Sequence, residues 1–164
     1  MNHFCPDLDF VHVPIVDCST TSDDIILNLA QELIARLIAG ENLYVHCWGG
    51  HGRAGTVASV MLGMLYNLPA AAAMERIQQF HDTRSCDLQV PSPQTAQQRK
   101  QVHRILRDYH ARRLKADRKK GRKIRPKLKH RDIPIAHNTS SKTASGAKGS
   151  RSGPKVIKSF SRVT

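Results

Sequence analysis

A glycine-rich loop between a predicted strand and a predicted helix is the feature that most constrains the fold of this chain of 164 residues. The segment YVHCWGGHGRAGT, residues 44–56, has a short apolar run, then three glycines within four positions, and then a sequence typical of a helix. In such a loop, successive backbone N–H groups converge on one point, and the positive end of the helix dipole lies at the same place. This arrangement predicts a binding site for a tetrahedral anion.

Two reactive side chains stand at the two ends of the loop, Cys47 at its start and Arg53 at its end. A guanidinium offers two parallel donors to phosphate oxygens, and a thiolate is an anion that a helix N-terminus stabilises. Nucleotide-binding loops also join a strand to a helix, but here the Walker lysine is absent and G-x-G-x-x-G is not matched. The order cysteine, five residues, arginine therefore indicates covalent chemistry on a phosphate ester.

The flanking elements predict an α/β domain, because strand, helix and strand follow one another before the loop. A β-branched run predicts a first strand that stops at Asp17, and apolar residues at helical spacing predict the first helix. The predicted elements are strands at 9–16 and 42–47, helices at 22–38, 53–66 and 69–82, a loop at 86–93, and a last helix at 94–113.

Charge divides the chain into an acidic body and a basic tail. Residues 1–98 hold 4 Lys or Arg and 10 Asp or Glu, whereas residues 99–164 hold 22 and 3. We predict a catalytic domain over residues 1–114 and a disordered basic tail over residues 115–164. The segment 112–131, with 12 Lys or Arg in 20 residues, suits a nucleic acid or an import receptor as a partner.

The composition also allows predictions about the cellular compartment, metal binding and membrane-spanning segments. The four cysteines have no CxxC pairing and no regular spacing, which argues against a disulfide framework and against a metal site. The longest apolar stretch, residues 54–68, is shorter than the roughly 20 residues that a bilayer span needs. We expect no cofactor, no membrane span, and a cytoplasmic or nuclear location, or both.

Three motifs, in matching order and spacing, resemble the cysteine-dependent protein tyrosine and dual-specificity phosphatases. They are VHCWGGHGRAGT, the stretch HVPIVD that ends 30 residues before Cys47, and PSPQTAQQ. The resemblance covers roughly residues 10–108 and is greatest to kinase-associated phosphatases. It implies a central sheet flanked by helices. Relatives carry strands and a substrate-recognition segment before the first of these motifs, so we expect the domain to be incomplete at its N-terminus.

The resemblance also implies a role for each matching residue. Cys47 would attack phosphorus to form a phosphocysteine, and Asp17 would protonate the leaving oxygen and then activate water. By its position alone, Asp17 would be typical of a turn residue. The remaining residues implied are the phosphate-binding loop Trp48, Gly49, Gly50, His51, Gly52 and Arg53, His46 beside the nucleophile, and the water-orienting Gln94 and Gln98.

One departure from the family pattern affects the expected rate. Ala54 stands where relatives have a Ser or Thr whose hydroxyl assists loss of the phosphocysteine. The first hypothesis is a protein phosphatase acting on phosphotyrosine, phosphoserine or phosphothreonine, with a phosphoprotein as substrate. Two alternatives stay open: a catalytically weak phosphate-binding module, which Ala54 favours, and an RNA 5′-triphosphatase, which the basic tail favours.

Overall fold

The computed structural model describes residues 9–84, 89–120 and 156–159 of the chain. These residues form a helix-rich α/β fold with few strands. In chain order, the elements are β1 (Asp9–His12), α1 (Asp23–Ile38), β2 (Leu43–His46), α2 (Arg53–Leu65), α3 (Ala70–His81), α4 (Ala96–Lys119) and β3 (Val156–Ser159).

Local capping sets the ends of α1. The Ser22 side chain accepts a hydrogen bond from the backbone N–H of Ile25 at 3.3 Å, so Ser22 is the N-cap. Asp23 and Asp24 in the first turn add negative charge at the positive end of the helix dipole. Just past the helix, Gly40 has φ +89°, a conformation that glycine adopts without strain.

The three strands form one parallel sheet in the order β1-β3-β2. The predicted strand over residues 9–16 is shorter than expected, because β1 ends at His12, whose ladder partner Ser159 is the last residue of β3. Pro14 follows two residues later and has no N–H to continue a ladder. The remaining residues up to Asp17 are therefore free to form the loop that carries this carboxylate.

Helix α2 lies at the centre of the core, where it packs against α1, α3 and α4 and contacts β2. Its mainly apolar sequence is buried on most sides, as the pattern predicted. Gly63 lets α4 approach closely, since a methyl group there would overlap the side chain of Leu106. The first residue of this central helix is Arg53, so the packing of the core fixes the backbone position of Arg53.

The C-terminal part differs from the prediction in two places. Helix α4 continues to Lys119, past the expected end near residue 113 and into the predicted tail, because Leu, Ala, Lys and Arg all favour helix. Residues 156–159 form β3, which was not predicted. The other tail residues, 121–155 and 160–164, lie outside the described part of the chain. Among the described helices, none is long and apolar enough to cross a bilayer.

Candidate active site

The loop between β2 and α2, residues 47–53, is called the phosphate loop below. Cys47 begins it and is only 7% exposed, and Gly50 has a φ of +71° that favours glycine. Helix α2 begins at Arg53 with no acidic residue in its first turn. The positive end of the helix dipole is therefore not offset by a carboxylate in that turn, which suits an anion.

The guanidinium of Arg53 joins the phosphate loop to the segment that follows β1. Arg53 is 2% exposed; its Nη1 donates to the carbonyl oxygen of Ile15 at 2.9 Å, and its Nη2 lies 2.9 Å from Asp17 Oδ1. The same carboxylate oxygen accepts the backbone N–H of Cys18 at 3.0 Å. Asp17 therefore contacts the last residue of the phosphate loop, although it lies 30 residues before Cys47 in the sequence.

His46 contacts the backbone of the cysteine that follows it. Its Nδ1 lies 3.2 Å from the carbonyl oxygen of Cys47, and its ring lies 5.2 Å from the ring of Tyr44, centroid to centroid. Ala54, the residue after the arginine, is buried and offers no hydroxyl. The hydroxyl of Thr56 donates to the carbonyl oxygen of Gly52 at 2.9 Å.

The two glutamines of the third motif have different surroundings. Gln94 Oε1 lies 3.9 Å from the sulfur of Cys18, next to Asp17. Gln98 is almost fully buried, and both ends of its amide are engaged: Oε1 accepts the N–H of Thr95 at 3.0 Å and Nε2 donates to the carbonyl oxygen of Ser19 at 3.1 Å. The amide of Gln98 therefore holds protein backbone in this structure.

Two residues that the sequence did not predict, His81 and Arg84, contact the rim of the phosphate loop. His51 Nδ1 lies 2.6 Å from His81 Nε2, and Arg84 Nη1 donates to the carbonyl oxygen of Gly49 at 3.3 Å. Burial, followed by the charges of His81 and Arg84, lowers the pKa of His51 below its ordinary value of 6.5. His81 and Arg84 come from the end of α3 and just beyond it, so no local spacing links them to the loop.

A cavity of about 500 Å³ lies beside this rim and shares two of its residues. Its lining consists of Gln78, His81, Asp82, Arg84 and residues 89–91. Trp48, within the phosphate loop itself, is 84% exposed. Across the described ranges, no group of three His, Cys, Asp or Glu side chains is arranged to hold a metal ion.

Two comparisons relate the chain to known phosphatases. The Invertebrate iridescent virus 3 protein named "Putative tyrosine phosphatase 067L" is 31% identical to this chain over 80 residues. The aligned residues cover 46% of this chain and 33% of that protein. The chain thus spans about a third of the length of this relative. No solved structure matches the chain. The family model PTP-SAK, described as the Swiss Army Knife protein DSP-PTPase phosphatase domain, matches residues 3–120, which include every site residue above. The chain, with its buried cysteine, its glycine-rich loop and an arginine paired with an aspartate, therefore belongs to the DSP-PTPase phosphatase family.

Proposed function

We propose that this chain hydrolyses phosphomonoesters on proteins, at phosphotyrosine, phosphoserine or phosphothreonine, through a phosphocysteine intermediate. The observation that carries the proposal is the contact between Arg53 Nη2 and Asp17 Oδ1 at 2.9 Å, at the end of a loop that begins with Cys47. A cation for the phosphate, a proton donor for the leaving group and a nucleophile are then within one small region.

The first step transfers the phosphoryl group to the protein. The Cys47 thiolate attacks phosphorus, the bond from phosphorus to the ester oxygen breaks, and Asp17 gives its proton to that oxygen. The backbone N–H groups of the phosphate loop and the Arg53 guanidinium stabilise the charge on the other phosphate oxygens. In the second step, water attacks phosphorus, Asp17 accepts a proton from it, the phosphorus–sulfur bond breaks, and the thiolate is restored.

The contact with Arg53 places Asp17 beside the guanidinium that would bind the substrate phosphate. Asp17 acts in its carboxylic acid form in the first step, when it gives its proton to the ester oxygen. When the leaving group has departed with the proton, the carboxylate is again available as the base for water.

A protein substrate is supported by the surface around the loop. The exposed ring of Trp48 and the cavity lined by His81 and Arg84 provide contact area beyond the phosphate itself. A phosphorylated side chain carried on a polypeptide would bring neighbouring residues to this surface, whereas inorganic phosphate would not use it.

The test compares hydrolysis of an aryl phosphate by the natural chain and by Cys47→Ser. We expect the variant to lose turnover and to keep affinity for phosphate esters, because a hydroxyl is a far weaker nucleophile but the loop donors remain. Binding is measured by calorimetry with a phosphotyrosine peptide. Equal hydrolysis rates would rule out the enzyme, and retained binding with no turnover in either protein would identify a phosphate-binding module, the alternative that buried Ala54 favours.

A further inference from the structure

The segment that carries Asp17, residues 13–22 between β1 and α1, is called the acid loop below. Side-chain contacts attach it to the rest of the domain at every second residue from Ile15 to Asp23, the first residue of α1. Side chains of α2 and α4 make all of these attachments. They are Arg53 to the Ile15 carbonyl (2.9 Å), Arg53 to Asp17 (2.9 Å), Gln98 to the Ser19 carbonyl (3.1 Å), Gln101 to the Thr21 carbonyl (2.6 Å), and Gln101 and Arg104 to Asp23 (2.9 and 2.7 Å).

Three of the side chains come from one stripe of α4. Gln98, Gln101 and Arg104 are spaced by three residues, so they lie on the same face of the helix. Gln98 and Gln101 are each 1% exposed. A buried amide without hydrogen-bond partners is costly, so each glutamine favours the one loop conformation that brings a carbonyl oxygen to it.

The end of the acid loop is also held by charge. Arg104 donates from Nε and Nη2 to the two oxygens of Asp23, the first residue of α1. The hydrogen bond from Arg104 is the main cause that lowers the pKa of Asp23, against the opposing effect of burial. This bidentate pair fixes where the acid loop ends and where α1 begins.

Gln98 links the acid loop to the phosphate loop as well. A Cβ placed on Gly52 would lie 2.8 Å from both amide atoms of Gln98. The amide therefore rests against the phosphate loop while it holds Ser19. Gln101 holds Thr21 and Asp23, and the described residues show it no hydrogen bond to the phosphate loop.

We propose that Gln98 and Gln101 are positioning residues that hold the acid loop in a preformed conformation, so that Asp17 stands ready as the proton donor. The inference rests on the proposed function of Asp17. In this role each glutamine acts through the backbone of the loop. Displacing a catalytic group by about 1 Å can cost about 10²-fold in rate, so loop attachments of this kind have a measurable effect.

Gln101→Met tests the proposal, because methionine has a similar length and no amide donors. Ile105→Val is the matched control: this residue is buried on the same helix, and losing one methylene destabilises the protein about as much as losing one hydrogen bond. Hydrolysis is measured for a series of phosphate esters whose leaving groups range from weakly basic phenols to strongly basic alcohols. Amide hydrogen exchange is measured over the acid loop.

We expect Gln101→Met to lower kcat/KM about tenfold for basic leaving groups, which need a proton, and less than about twofold for weakly basic phenols. We also expect faster exchange in the acid loop of Gln101→Met than of Ile105→Val. An equal loss for all leaving groups, or unchanged exchange in the loop, would overturn the positioning role. If the natural chain hydrolyses esters but Gln101→Met behaves like Ile105→Val, this inference alone fails. If the natural chain and Cys47→Ser hydrolyse esters at equal rates, the proposed function fails. The exchange data then still decide whether Gln101 orders the acid loop.

Discussion

Gly52→Ala tests how tightly the phosphate loop and the acid loop are packed against each other. The backbone of Gly52 has φ −83°, which any residue adopts, so the substitution brings no backbone strain. The three atoms nearest to the added Cβ all belong to the Gln98 amide, two of them at 2.8 Å. Since carbon and a polar atom do not approach so closely, the amide must move.

The cost follows from what the amide holds. Moving the amide breaks its hydrogen bonds to the Thr95 N–H at 3.0 Å and to the Ser19 carbonyl at 3.1 Å. At about 0.5–1.5 kcal/mol each, their loss removes about 1–3 kcal/mol. Alanine restricts the unfolded chain more than glycine does, which returns about 0.4–1 kcal/mol. The difference spans about 0–2.6 kcal/mol, and we expect the free energy of unfolding to fall by its midpoint, about 1.3 kcal/mol.

A double-mutant cycle with Gln98→Ala checks this assignment. Once the Gln98 side chain is absent, the closest contacts of the new methyl are gone, and only the effect on the unfolded chain remains. Gly52→Ala should then stabilise the Gln98→Ala protein by about 0.4–1 kcal/mol, so the sign reverses. Urea denaturation gives the free energy of unfolding of all four proteins. Unchanged m-values show that the four values can be compared. If Gly52→Ala costs the same in both backgrounds, the proposed contact is not the cause.

Three further predictions concern the site itself. Asp17→Asn should lower turnover by about 10²-fold or more for basic leaving groups, as general acids contribute, and an unchanged rate across an ester series would remove Asp17 from the mechanism. Ala54→Ser should raise the steady-state rate and shrink the burst of leaving group in rapid-mixing experiments, because the new hydroxyl can stabilise the departing thiolate; a natural chain without a burst would show that hydrolysis of the intermediate is not rate-limiting. Because the pKa of His51 is lowered in the folded protein, the unfolded chain binds more protons below pH 6.5 and stability falls as the pH drops through that region; His51→Asn should flatten this dependence in thermal unfolding, and an unchanged slope would contradict it.

The helices could be predicted from the sequence because each depends on local signals. Apolar residues at helical spacing predict α1, a mainly apolar run predicts α2, and Pro69 predicts the start of α3; the observed ends lie within one residue of the predicted ones. The end of α4 was harder, since the pattern of like charges after residue 113 suggested disorder while the helix propensity of the same residues carries the helix to Lys119. Strand β3 has four residues in a tail rich in Lys, Ser and Gly, too short a run to stand out.

Some site residues could likewise be predicted from the sequence, whereas others are brought to the site only by the tertiary fold. Cys47 and Arg53 belong to one contiguous motif, and Asp17 follows a strand at a spacing that the family resemblance supplied. Gln101 was not singled out because a polar residue on a helix usually faces water, and only the tertiary fold shows that it is buried against Thr21. His81 and Arg84 reach the rim through the packing of α3 against α2, which no local pattern encodes.

The covalent step is the central claim, and trapping the intermediate tests it most directly. The natural chain is mixed with a phosphotyrosine peptide, quenched in acid within milliseconds, digested and analysed by mass spectrometry. The account predicts that the peptide containing Cys47 gains the mass of one phosphoryl group, that the labile bond is to sulfur, and that Cys47→Ser and Arg53→Ala show no such species. Turnover of the substrate with an unmodified Cys47 peptide at every quench time would contradict the phosphocysteine mechanism.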